Sequence, residues 1–181
     1  MICGLLGKTL GHSYSPTIHG MLGDYQYQLY EKQPEELENF LKNGDFDGLN
    51  VTIPYKKDVI PYLDEISDTA KKIGAVNTIV NRDGRLYGYN TDYDGMVALI
   101  RHAGLSLAGK TVLILGTGGT CRTVTAACKH QKAGRVYTVS RAGGPGLLTY
   151  EEAARQGDVQ VIFNTTPAGM YPNVEGCLLS L

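Results

Sequence analysis

A chain of 181 residues with 43% hydrophobic and 19% charged side chains can bury its core as one large domain or two small ones. Its net charge of −1 leaves no electrostatic footprint for nucleic acid, and no apolar run approaches the ~20 residues that cross a bilayer. Four scattered cysteines (Cys3, Cys121, Cys128, Cys177) without metal spacing, and no signal-peptide pattern, predict free thiols in a reducing cytoplasm, with no metal, nucleic-acid or membrane partner.

In chain order, ICGLLG (2–7) reads as a buried strand, and SPTIHGML (15–22) as a short helix with Ser15 as its cap and Pro16 at its first position. YQLYEK (27–32) is a second strand. PEELENFLKNG (34–44) is a helix that starts acidic and ends at Gly44. In GLNVTIPYKK (48–57), Leu49, Val51 and Ile53 read as a buried strand alternating with polar Asn50 and Thr52; Pro54 ends it and Lys56 follows at once. Helical segments are expected near 56–63 and 67–72. AVNTIVNRDGRLYGYN (75–90) reads as a hairpin turning at Asp83-Gly84. The alternation of strand and helix predicts an α/β fold, with a largely parallel sheet and the antiparallel hairpin at one edge.

A helix over about 91–102 leads to a glycine-rich break, AGLSLAGK (103–110), which divides the chain into domains 1–102 and 103–181. TVLILG (111–116) is a continuous apolar strand, TGGTCRTVTAACKHQ (117–131) a loop running into a helix, and RVYTVS (135–140) and VQVIFNTT (159–166) are further strands. This spacing is that of a Rossmann-type unit.

GTGGTCR (116–122) stands where a dinucleotide loop belongs, after an apolar strand and opening a helix. Gly116 permits the tight turn, Gly118 lets backbone N–H groups approach a pyrophosphate, and the helix N-terminus favours negative charge. Gly116, Thr117, Gly118, Gly119 and Thr120 are therefore cofactor candidates, although the pattern is G-x-G-G, with Cys121 interrupting the longer fingerprint. NAD sites usually place a carboxylate at the end of the next strand. Here Ser140 and Arg141 stand there, and a guanidinium suits a 2′-phosphate, so NADP is expected. The plainer alternatives are a ligand-free turn and a solvated arginine.

GKTLGHSYSPTIH (7–19), NVTIPYK (50–56), GAVNT (74–78) and GYNTDYDG (88–95), in that order before the glycine loop, resemble the shikimate dehydrogenase family, as does NTTPAGM (164–170). The resemblance covers nearly the whole chain. It implies reversible NADPH-linked reduction of 3-dehydroshikimate to shikimate, on the route to aromatic amino acids. Carried over by position, it assigns Ser13 and Ser15 to the substrate carboxylate, and Thr52, Asn77 and Asp92 to ring hydroxyls. Lys56 becomes the acid–base residue, oriented by Asp92. Gly116 to Thr120 hold the pyrophosphate, Ser140 and Arg141 the ribose phosphate, and Asp68 matches a position that touches the cofactor in some members.

These residue types suit the chemistry. A small polyhydroxy acid needs short polar partners on rigid strand ends, and any missing partner leaves a buried group unpaired. Carbonyl reduction also needs a proton donor. Taken singly, each residue has a plainer use: Ser15 as a cap, Asn50 and Thr52 as local backbone partners, Lys56 and Lys57 as a solvated helix start, His12 and His19 as packing or surface groups. Family members continue well beyond NVEGCLLSL, so the resemblance implies a C-terminally shortened member with an incomplete NADP-binding domain. A quinate-active variant and a module that binds without turnover stay open, while a folate-linked dehydrogenase would leave the serine pair and NTDYDG without purpose. Exposed sheet edges would allow a homodimer.

Overall fold

The structure, a computed structural model, describes residues 1–11 and 13–179, so His12 and the end of the CLLSL tail (Ser180, Leu181) lie outside the described residues. It divides into two units, Met1–Thr91 and Asp92–Leu181. The helix that follows Thr91 is thereby grouped with the second unit, ahead of the glycine-rich break at 103–110.

The first unit runs β1 (Ile2–Gly7), α1 (Ser15–Leu22), β2 (Gln26–Glu31), α2 (Leu37–Asn43), β3 (Gly48–Val51), β4 (Glu65–Ile66), α3 (Asp68–Ile73), β5 (Thr78–Arg82) and β6 (Arg85–Tyr89). Its six strands lie in the order β2-β1-β3-β5-β6-β4. β1 pairs parallel with β2 and β3, and β4 parallel with β6, while β3–β5 and β5–β6 are antiparallel. The hairpin is therefore not the edge expected of it. Two-residue β4 covers its outer side, held by Asp64 N–H to Leu86 O and Ser67 N–H to Gly88 O. So short a strand has no period to read. The hairpin turn itself matches its sequence: Asp83 (φ 52°) and Gly84 (φ 80°) are both left-handed, as a two-residue turn of this twist requires.

Register explains the alternation around Asn50. Neighbouring residues on paired strands share a face, so Leu6, Leu49, Val51 and Ile79 point one way and Leu5, Asn50 and Thr78 the other. The first set packs with Leu37 and Leu41 of α2 into the unit's core. Ile53 does not join it. The strand ends at Val51, Thr52 O accepts from Tyr55 N–H (3.0 Å) as the chain turns, and Ile53 is 78% exposed beside the N–H-less Pro54. The helix expected over 56–63 is reduced to a turn and a short 3-10 segment, Ile60–Tyr62, around Pro61. The cap of α1 also differs. Ser15 is its first residue rather than its cap, and Ser13 Oγ accepts from Ser15 N–H at 3.2 Å.

The second unit runs α4 (Asp92–His102), β7 (Thr111–Leu115), α5 (Gly119–His130), β8 (Arg135–Val139), β9 (Leu147–Leu148), α6 (Tyr150–Ala154) and β10 (Val161–Asn164). Its four strands, ordered β10-β7-β8-β9, are all parallel. Every residue of β7 is buried. Val112 and Ile114 pack on one face with Val124, Ala127 and Cys128 of α5, and Leu113 and Leu115 on the other with Val139 and Ala153. Burial on both faces is why this strand reads as an unbroken apolar run. Its own burial on α5, with Cys121 beside it, pushes the Cys128 thiol up to about 11. The sequence reading lacks β9 and α6, although Thr149 and Glu152 form a reciprocal capping pair at the start of α6. Among the described residues, no helix is long and apolar enough to cross a membrane.

Candidate active site

Strand direction gathers the polar residues of the first unit. β1 and β3 run parallel, β5 runs against them, and β6 against β5. The carboxyl ends of β1, β3 and β6 and the amino end of β5 therefore share one end of the sheet. Ser13 and Ser15 follow β1, Thr52 and Lys56 follow β3, Asn77 precedes β5, and Asn90 and Thr91 follow β6. Asp68 follows β4 at the same end, but three strands from β3, roughly 14 Å away at the usual strand spacing. It is exposed at the start of α3, so the Thr52 rim does not include it.

Main-chain bonds fix this rim. Thr52 N–H donates to Leu6 O (2.9 Å), Val76 N–H to Lys56 O (2.7 Å), and Val51 N–H to Asn77 O (2.8 Å). Next to Lys56, Tyr55 is 1% exposed and its hydroxyl donates to Lys32 O, so the backbone carrying the partly buried lysine is pinned on both sides. Gly7 is required beneath it. A Cβ there would stand 2.8 Å from Thr52 Cγ2 and 2.6 Å from Leu10 Cδ2.

Asn77 is buried (8% exposed) and ties the hairpin together. Its Nδ2 donates to Thr91 Oγ1 (2.9 Å), while its Oδ1 accepts from Thr91 N–H (2.9 Å) and Thr78 Oγ1 (3.0 Å). These bonds use one of its two amide hydrogens and leave the other for a ligand hydroxyl. Thr91 carries no signal in the sequence, because its partnership with Asn77 exists only once the hairpin has closed. Asp92 is the next residue, at the start of α4. Replacing Asn77 with alanine should cost about 2–3 kcal/mol of stability, since the Thr91 N–H loses its acceptor; denaturant unfolding of the two chains measures this.

In the second unit the order β9-β8-β7-β10 is one half of a doubly wound sheet plus the first strand beyond it, and its direction of winding reverses between β7 and β10. Such sheets bind ligands at that reversal, beyond the strand ends. The loop after β7 stands there. Gly116 has φ 103°, and a Cβ on it would meet Thr166 Cγ2 at 2.9 Å and Thr165 Oγ1 at 3.0 Å. Thr165 is held by two bonds to Leu115 O, from its N–H (2.9 Å) and its hydroxyl (2.6 Å). Gly118 occupies the cap position of α5 with open space where a side chain would project, and the first turn holds no acid and no side-chain cap. Thr117, Gly118, Gly119 and Thr120 are exposed. Free helix N–H groups behind an open glycine fit a dinucleotide pyrophosphate.

Ser140 and Arg141 end β8 on the same side of the sheet, but their chemistry differs. Ser140 Oγ donates to Gly143 O (3.0 Å) within its own turn, whereas Arg141 is exposed. The guanidinium is thus the available donor. A shallow cavity of about 180 Å³ lined by Tyr93, Asp94, Val97, Ala98, Arg101 and His130 contains none of the residues selected from sequence.

The class is therefore an α/β protein of two units, one a Rossmann-type nucleotide fold and the other a mixed sheet with a polar rim. The sequence profile of the shikimate dehydrogenase substrate binding domain matches residues 5–79. A shikimate dehydrogenase (NADP(+)) of Clostridium beijerinckii is 40% identical over 190 residues, covering 95% of this chain and 70% of that protein. Shikimate dehydrogenase 1 of Peptoclostridium difficile superposes with a TM-score of 0.88 at 36% identity, over 99% of this chain and 72% of that one. The Thermus thermophilus enzyme in complex with NADP(H) and shikimate gives 0.80 at 28% identity, over 99% and 74%. The chain belongs to the shikimate dehydrogenase family and spans about 70% of the length of these relatives.

Proposed function

We propose that the chain catalyses the NADP-linked interconversion of 3-dehydroshikimate and shikimate, with the first unit holding the acid and the second the nucleotide. The observation that carries this is the gathering of Ser13, Ser15, Thr52, Lys56, Asn77 and Thr91 at one end of one sheet, in a chain whose second sheet presents an open glycine loop at its reversal point. NADP, when bound, supplies hydride exchange at the ring carbon. Lys56 gives its proton to the carbonyl oxygen in reduction and recovers it from the hydroxyl in oxidation. Thr52, Asn77 and Asp92 bind the ring hydroxyls, Asp92 also orients the amine, and Ser13 and Ser15 hold the carboxylate. Gly116, Thr117, Gly118, Gly119 and Thr120 take the pyrophosphate, Arg141 with Ser140 the 2′-phosphate, and Asp68 the outer edge of the cofactor. The enzyme works in the cytoplasm, and two copies can pair along the free edge of β2.

The test is oxidation of shikimate with NADP+, read from absorbance of the reduced nicotinamide, beside calorimetry with each ligand alone. Affinity for both with turnover supports the enzyme; affinity for shikimate without the nucleotide would favour a binding module instead. Replacing Arg141 with alanine should weaken NADPH binding about tenfold or more and leave NADH nearly unchanged, since only the phosphate loses a charge-assisted partner. Equal losses for both nucleotides would remove Arg141 from phosphate recognition.

A further inference from the structure

Glu31 has no role in the scheme above, yet it holds the segment that carries the two serines. It ends β2 opposite Gly7, the last residue of β1. Paired residues of neighbouring strands share a face, so the Glu31 side chain lies where a Gly7 side chain would project. Leu10 occupies that place: it is buried, and a Cβ on Gly7 would stand 2.6 Å from its Cδ2. The Leu10 N–H donates to Glu31 Oε1 at 2.5 Å, and beside it Lys32 N–H donates to Gly7 O at 3.0 Å. From Leu10 the tie continues to the serines. Ser13 N–H donates to Leu10 O (3.0 Å), and Ser13 Oγ accepts from Ser15 N–H (3.2 Å). That last bond uses an oxygen lone pair and leaves the Ser13 hydroxyl hydrogen for a ligand. The far end of the segment is gripped as well. His19 on α1 shares a hydrogen bond with the hydroxyl of Tyr25, just before β2, at 2.6 Å, and stacks on the Tyr27 ring with centroids 3.7 Å apart.

We propose that Glu31 is a positioning residue for carboxylate recognition: through Leu10 it sets Ser13 in place before the substrate arrives. This rests on the assignment of Ser13 and Ser15 to the substrate carboxylate. An ionised acceptor holds an amide more firmly than a neutral one. Without it the Leu10 N–H turns to water, the stretch between Leu10 and Ser13 loosens, and Ser13 has to be ordered when the acid binds. Ordering deferred to the moment of binding lowers affinity. The loss falls on the carboxylate, because Thr52 and Asn77 are held by separate bonds, to Leu6 and to Thr91. The His19 contacts keep α1 against β2, so removing the Glu31 bond frees one end of the segment and not both.

The test compares shikimate with its methyl ester, which keeps the ring hydroxyls and loses the charge. In calorimetry, Glu31→Ala should weaken shikimate about fivefold to tenfold and the ester less than about twofold, so the native preference for the acid shrinks. Glu31→Gln keeps an oxygen acceptor on the same stem and should restore that preference to within about twofold of native. Equal weakening of both ligands by Glu31→Ala would show a merely structural role and overturn the proposal. No change in either ligand would overturn it too, as would a glutamine variant no better than alanine. Should Glu31→Ala fail to fold, hydrogen exchange of the native chain decides. Coupling is reciprocal, so saturating shikimate should slow exchange of the Leu10 amide at least about threefold more than saturating ester does; equal slowing by the two ligands overturns the proposal. A native chain that binds neither ligand is a different result: it overturns the substrate assignment, and this proposal with it.

Discussion

Replacing Lys56 with alanine lowers NADP-linked shikimate oxidation by about 10²- to 10⁴-fold while shikimate affinity stays within about threefold; this is the expected result if the lysine moves the proton. Its backbone is fixed by the Val76 N–H to Lys56 O bond and by buried Tyr55, so the truncation removes the amine without releasing the rim. The loss should fall on kcat rather than on KM, because the charge matters when the carbon–oxygen bond changes order, more than when the acid docks. Single-turnover kinetics beside calorimetry separates the two. Native-like turnover in the alanine chain would remove Lys56 from the chemistry, and a collapse of affinity with intact kcat would make it only a binding group.

Gly116→Val should weaken nucleotide affinity severely and spare the acid. Two costs combine. A β-branched residue at φ 103° carries left-handed strain of about 1–3 kcal/mol. Its Cβ also meets Thr166 at 2.9 Å and Thr165 at 3.0 Å, where Thr165 is tied to β7 by two bonds and cannot retreat cheaply. The loop must therefore leave the position from which it faces a pyrophosphate, and NADPH should weaken by ~100-fold or more, a change of about 2.7 kcal/mol. Shikimate affinity should be unaltered, because none of its proposed partners lies in this loop. Calorimetry on the variant checks both halves of the statement, and native-like NADPH affinity would contradict the cofactor role of the loop.

Much of this fold is legible in the residues, and the exceptions have physical causes. β7 is buried on both faces and β1 over its last four residues, so their apolar runs announce themselves. The Asp83-Gly84 turn does so through left-handed geometry that few other pairs tolerate. β4 and β9 have two residues each, and no period can be read from two positions. The helix expected over 56–63 is reduced to a turn and the 3-10 segment Ile60–Tyr62, because Pro61 lacks the N–H that a longer helix would use. Ile53 looked like the third member of an alternating set, yet the strand had already ended. The candidate site divides in the same way. Thr52, Lys56 and the glycine loop stand out because polar or small residues interrupt apolar strands at their ends. Thr91 carries no such mark, since its value lies in a partner 14 positions away, and only strand order brings the two together.

The rim of the first sheet is closed by amides that reach from one segment to the next: Thr52 to Leu6, Val51 to Asn77, Val76 to Lys56. All three meet on residues 51–56, where β3 ends, so no one of them can shift without straining the others. A receptor laced in this way is already set when its guest arrives. Deuterium should enter these three positions only when the sheet end comes apart as a whole, and the entropy that a floppy loop would surrender on capture was given up when the protein folded.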